Sequence, residues 1–400
     1  MRMDASPPQH LTTLQWHSHC AGCALSHSLR SLLPTASLNH CPSRPPRSSQ
    51  FLHREIPIRL ARRVRTLSEY PWPAESHKHV RAVQQNVLKS ITNLVEFPLP
   101  RDVETVREFQ RLHVSVRSSH TNTHRHMANA LTGLSTVPEP PGLTKVLNSF
   151  YASRIGIRLL VDQHMALDQA RTGFVGIVEE ECDVQQVIDG AVKAALDLYR
   201  GGGGGGGGVD VPEVIVNGGN IHFRYMPAHI QLMVFELLKN ALTASIKWGE
   251  DNGQPSPPIE IVASGGKEDV TIRISDKGGG FKRADRVKLF SYAFSTAQDE
   301  ATQYDPVAAA VGNRESTPLA QTRGVGNFKM PLPAGWHMTA QGPRMAAADL
   351  KLARCGFGLP VGRLHATHFG GDLRCESTEG IGTDAFVYLP RLQDEQEALA

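Results

Sequence analysis

Four hundred residues with 40% hydrophobic content exceed what one compact domain needs and allow two domains with cores of their own. The net charge of +3, from 42 basic against 39 acidic residues, excludes a whole-chain electrostatic case for nucleic acid or bulk anionic membrane, and no apolar run approaches the ~20 residues of a membrane span. Six scattered cysteines, Cys20, Cys23, Cys41, Cys182, Cys355 and Cys375, exclude a dense disulfide scaffold and point to a reducing compartment.

Residues 1–50 carry Arg2, Arg30, Arg44 and Arg47 among many Ser, Pro and His, with Asp4 the only acid. This is the composition either of an organellar transit peptide or of a disordered tail. His17, His19, Cys20 and Cys23 have zinc-ligand chemistry, but no second pair follows at structural spacing, so coincidence is the better reading. From Phe51 the pattern turns helical: Leu52, Ile56, Leu60, Val64 and Leu67 recur on one face, with Pro57 expected to kink or restart the helix. Helical periodicity continues in residues 80–95, 103–119, 143–167 and 183–200, which predicts an antiparallel helical bundle over 51–200. Gly201–Gly208 is a run of glycines too costly in entropy to order, hence a loop or hinge. Beyond it, residues 211–218, 221–226, 258–266, 269–276 and 384–390 alternate like strands around a helix at 231–248. The second half is therefore α/β, and the whole an α+β chain of two domains, the second spanning 209–391 ahead of a tail at 392–400.

Within the predicted helix, Glu236 and Asn240 stand one turn apart beside Lys239, a pairing suited to a magnesium nucleotide, with the amide oxygen on the ion and the carboxylate as base. Alone the pair reads equally as a solvated helix face. Asp276-Lys277-Gly278-Gly279-Gly280 follows a strand directly, where a carboxylate can accept from an adenine amino group and glycines let backbone approach the nucleotide; alone this is an ordinary turn. Gly356-Phe357-Gly358-Leu359-Pro360 opens a helix whose first amides can face phosphates, and Gly380-Ile381-Gly382-Thr383-Asp384 leads into the last strand.

Those four motifs in that order resemble the GHKL superfamily of gyrase, Hsp90, histidine kinases and MutL. Further segments, FLHREIPIRLARR, SFYASRIGIRLLVDQHMAL, HIQLMVFELLKNAL, LFSYAFSTA and LHATHFGGDLRCESTEGIGTDAFVYL, are similar to the mitochondrial protein kinases that act on pyruvate and branched-chain 2-oxo acid dehydrogenases, nearest the plant or algal pyruvate type, over residues 51–391. The resemblance implies an N-terminal bundle and a histidine-kinase-like α/β sandwich using ATP and Mg2+ in the mitochondrial matrix. It implies a serine kinase that inactivates the complex through its E1α subunit, docks the lipoyl domain of E2 and forms a homodimer. By position it makes Glu236 the general base and Asn240 the magnesium ligand. It assigns nucleotide contacts to Asp276, Gly278, Gly280, Ser295, Thr296, Gly356, Phe357, Gly358, Leu359 and Thr383, and it places His120 close to the catalytic glutamate. Arg154 and Arg158 serve either as domain-interface ion-pair residues or as a solvated basic face, and the solvated face is preferred.

Three departures stand out. Arg354 and Cys355 replace the first two positions of the family's lid, residues 321–355 form an unfamiliar insertion whose Gly324-Val325-Gly326 mimics a lid, and Thr243 stands where an arginine is usual. These motivate the competing reading of a catalytically impaired regulator that binds E2.

Overall fold

The computed structural model describes residues 44–131, 141–167, 171–201, 210–292, 336–339, 342–345 and 357–392. Helix α1 (Arg44–Glu69) leads, and a 3-10 turn (Ala74–Ser76) passes into α2 (His77–Glu96), followed by α3 (Val103–Ser119), α4 (Thr123–Leu131) and α5 (Leu143–Leu167). Helix α1 begins ahead of Phe51 and runs through Pro57 as one helix, so of the two expectations, a kink or a restart, the restart is absent. Proline loses one helical hydrogen bond and strains the preceding turn, a cost of about 3 kcal/mol. Leu52, Ile56, Leu60 and Leu67 are all buried, at roughly 1.5–3 kcal/mol each, which outweighs it. Helix α3 starts where the sequence supplies a cap: the Asp102 carboxylate accepts from the Thr105 amide at 2.9 Å. Helix α1 packs on α2, α3 and α5, and α2 on α4, giving a helical N-terminal layer.

The second half opens with a hairpin, β1 (Phe174–Val175) and β2 (Val178–Asp183), which pairs with β4 (His222–Tyr225) in a three-stranded sheet. Helix α6 (Val184–Gly201) lies against α7 (Pro227–Asn252). The main sheet has the order β3 (Val214–Asn217), β5 (Ile259–Gly265), β6 (Asp269–Asp276), β10 (Gly382–Pro390) and β9 (Asp372–Thr378). Only β3 and β5 run parallel; the other pairs are antiparallel. A 3-10 turn (Arg283–Lys288), the pair β7 (Trp336–Thr339) and β8 (Gly342–Met345), and helix α8 (Gly358–Thr367) complete the described elements.

Helix α7 is the hub. Pro227 sits at its start, Gly253 in the left-handed conformation closes it, and it is buried nearly all round, as a helix with apolar residues on every face must be. It packs on α6, α8 and β6, while α8 also touches α5, so one continuous core joins the helical layer to the α/β half.

Arg154 lies within that core, 9% exposed, and donates to the His120 carbonyl, while Arg158 is half-buried. The preferred reading of the two as a solvated basic face is therefore corrected: helical spacing fixes which face a residue occupies, and packing of α1, α4 and α8 around α5 decides whether that face is wet. The β1–β2 hairpin, β9 and α4 went unread in the sequence; β1 is two residues long, and VEEECD in β2 carries too many acids to register as a strand.

Candidate active site

Glu236, Asn240 and Ala244 succeed one another at intervals of four on α7 and so share a face, spread over about 12 Å of helix. Two glycines press on this face. A Cβ on Gly358 would lie 2.5 Å from Glu236 Oε2, and one on Gly278 would lie 2.6 Å from the Ala244 backbone carbon and side chain. At Gly278 loop backbone meets helix backbone without room for a methyl group, whereas at Gly358 the close neighbour is the Glu236 carboxylate itself, which a methyl group would displace. The start of α8 thus sits over Glu236, and the loop after β6 sits over Ala244. Asn240, midway between them, is exposed.

Glu236 is 2% exposed. Its Oε2 accepts from Lys239 Nζ at 2.5 Å, and Lys239 is also buried. Its Oε1 is equally shielded and has no hydrogen-bond partner among the described residues. A shielded carboxylate oxygen without a donor carries the full cost of lost hydration, and a bound hydroxyl would supply the missing hydrogen bond.

Asp276 ends β6 opposite Thr383 of β10. Its Oδ1 accepts the Gly278 amide at 2.9 Å. Burial pushes its carboxyl up to about 6, against the backbone amides of Gly278 and Thr383 that favour the charge. The loop beneath takes φ of +82° at Gly279 and +65° at Gly280, conformations that favour glycine. Ser377 fastens this loop to the sheet: its Oγ accepts the Phe281 amide at 3.0 Å and donates to the Gly382 carbonyl at 3.0 Å, and Thr383 Oγ1 lies 3.3 Å away.

Phe357 is fully buried beside Gly358, and its ring centroid lies 5.5 Å from those of Tyr151 and Tyr292. Tyr151 stacks on Tyr292 with an interplanar angle of 13°, and the Tyr292 hydroxyl donates to Asn148 at 2.8 Å. Helix α5 thereby grips the chain at both Tyr292 and Phe357. Leu359 is half-buried in the first turn of α8. Thr243 is exposed and shares a hydrogen bond with Tyr199 at 2.7 Å while donating to the Lys239 carbonyl.

His120 closes α3, where its Nε2 meets Ser90 Oγ at 2.9 Å. Burial, then Arg63 and Arg154, hold it at about 3, so it is a neutral ring. Its described contacts run to α2 and α5. Ser295, Thr296 and Gly356 lie outside the described residues, as do the Gly324–Gly326 segment, the His17–Cys23 cluster and the insertion apart from β7 and β8. Sequence reasoning gave no role to Lys239, Tyr151 or Ser377; the i, i+3 spacing of Glu236 and Lys239 was the one available signal.

Comparison with known proteins agrees with this arrangement. Residues 26–179 match the family described as mitochondrial branched-chain alpha-ketoacid dehydrogenase kinase, and residues 225–308 match the histidine kinase-, DNA gyrase B-, and HSP90-like ATPase. The chain is 33% identical over 358 residues to a mitochondrial pyruvate dehydrogenase (acetyl-transferring) kinase of Arabidopsis thaliana, covering 88% of this chain and 87% of the relative. It belongs to the pyruvate dehydrogenase kinase family. Isozyme 4 of Mus musculus is 32% identical, over 92% of this chain and 81% of the relative, and that of Homo sapiens is 31% identical, over 92% and 82%. The ATPase match spans Glu236, Asn240 and Asp276 and stops ahead of Phe357, so the α8 start enters this kinase site on its contact with Glu236.

Proposed function

We propose that the chain is an ATP-dependent serine kinase of the pyruvate dehydrogenase complex, phosphorylating its E1α subunit and so inactivating it. The observation that carries this reading is the shielded Glu236 Oε1, without a partner among the described residues, one helical turn from an exposed Asn240, with the loop after Asp276 pressing on Ala244 of the same face. The relatives named for pyruvate dehydrogenase favour that complex over the branched-chain one.

ATP fits the cleft by chemistry. The Asp276 carboxylate accepts from the adenine amino group, the loop glycines let the base lie against backbone, and amides opening α8 face the phosphates. Asn240 supplies an amide oxygen for Mg2+, which when bound neutralises phosphate charge. Glu236 Oε1 accepts the proton of the substrate serine hydroxyl as its oxygen joins the γ-phosphorus and the bond to the β-phosphate oxygen breaks, releasing ADP. Asp276 works ionised, because only the carboxylate presents two acceptors to both the Gly278 amide and the adenine. His120 close to the glutamate, the homodimer, docking on the E2 lipoyl domain and residence in the mitochondrial matrix belong to the same reading. Radiolabelled phosphate transfer from Mg-ATP to purified E1α tests it: transfer supports it, and E2 binding without transfer would favour the impaired regulator.

A further inference from the structure

We propose that Lys239 is the positioning residue of phosphoryl transfer, holding Glu236 Oε2 so that Oε1 alone receives the serine proton; this rests on the reading of Glu236 as general base. The two carboxylate oxygens are treated differently. Oε2 lies 2.5 Å from Lys239 Nζ and under the Gly358 backbone, whereas Oε1 is shielded and has no donor among the described residues. A carboxylate with both oxygens free rotates about its last bond and presents either. Fixing one oxygen by a charge-assisted hydrogen bond points the lone pairs of the other in a set direction.

The lysine is itself held. Its stem lies on α7 with only 5% of the side chain exposed, its ammonium is 5.6 Å from the Phe235 ring centroid, and its backbone carbonyl accepts from Thr243, which in turn accepts from Tyr199. A buried ion pair is a weak source of stability, because desolvation of both charges offsets their attraction, and one oxygen left without a donor makes this pair weaker still. The arrangement is better accounted for by what it does for Oε1. In the reaction the proton of the serine hydroxyl passes to Oε1, the serine oxygen bonds to the γ-phosphorus, ADP departs, and the Lys239 ammonium keeps all three of its protons throughout.

The test uses the full chain with Mg-ATP and E1α, comparing Lys239→Met, Lys239→Arg and Lys239→Gln for kcat, for KM of ATP, and for binding of a fluorescent ATP analogue. Loss of kcat by about 100-fold in Lys239→Met with KM for ATP within twofold of the parent, and recovery of most of that loss in Lys239→Arg, is the expected result. A Lys239→Met variant with kcat within threefold of the parent would overturn the proposal, as would an arginine variant no better than methionine. If Lys239→Met binds no analogue because it does not fold, Gln and Arg decide: kcat at least tenfold higher in the charged variant supports positioning by charge, and equal values refute it. Glu236→Gln separates the two layers, since an active Glu236→Gln enzyme removes the general base itself, whatever Lys239 does.

Discussion

Asp276 is asked to be buried and charged together, and burial raises its carboxyl from 3.8 to about 6. The folded state therefore binds this proton more readily than the unfolded one, so the ligand-free fold loses stability as pH rises from 3.8 to about 6 and keeps that loss above. Asn in its place cannot ionise. Asp276→Asn is expected to raise the melting temperature of the ligand-free protein at pH 7.5 by a few degrees while weakening ATP binding by roughly 10- to 100-fold, the loss of one charge-assisted hydrogen bond of about 1.5–3 kcal/mol. Differential scanning fluorimetry and analogue titration read the two effects separately. If both quantities fell together, Asp276 would be a structural residue. The same carboxylate gives a pH test for the nucleotide: affinity should decline as pH drops through about 6.

At the scale of elements, the argument is about α7 and what lies on it. The sequence motifs marked Glu236, Asn240, Asp276 and the glycines individually, and their order identified the superfamily. That Gly278 and Gly358 land one turn either side of Asn240 was not legible, because it depends on how the β6 loop and α8 pack, and no local spacing encodes a distance between residues 278 and 358. Pro57 shows the converse: a local rule allowed a restart of the helix there, and burial of the α1 stripe carries the helix through. Gly278→Ala should place a methyl group 2.6 Å from Ala244, forcing the adenine loop off α7. The expected outcome is about 1–3 kcal/mol of lost stability together with at least tenfold weaker ATP binding, measured by chemical denaturation and titration. Unchanged affinity in a destabilised variant would detach the loop from the site.

The whole molecule joins a helical layer to an α/β half through α5, α7 and α8, and that seam is rich in buried histidine. Burial, with neighbouring positive groups, lowers His229 to about 3 and His368 to about 4, and holds His124 and His365 well below the usual 6.5. His113 and His120 are likewise held at about 3. Each folded pKa lies below its unfolded value, so the unfolded chain binds more protons at acid pH, and stability falls as pH drops below 6.5. Asp276 and Glu179, both raised by burial, work in the opposite sense but are two groups against six. The melting temperature is therefore expected to fall by at least about 5 °C between pH 7.5 and pH 5.5; a flat profile would mean that these rings do not stay neutral in the folded protein. The long helices, four strands of the main sheet (β3, β5, β6 and β10) and the order of the nucleotide motifs were readable from periodicity and spacing. The seam was not, since Tyr151, Tyr292 and Phe357 meet only after three distant segments have folded.

The most direct measurement of the central claim is phosphate transfer from radiolabelled Mg-ATP to purified E1α by the recombinant chain, run beside Glu236→Gln. The account predicts labelling of E1α by the parent and a loss of at least about 100-fold in the variant, with ATP binding retained in both. A parent that binds ATP and labels nothing, or a Glu236→Gln variant that labels E1α as well as the parent does, would contradict it.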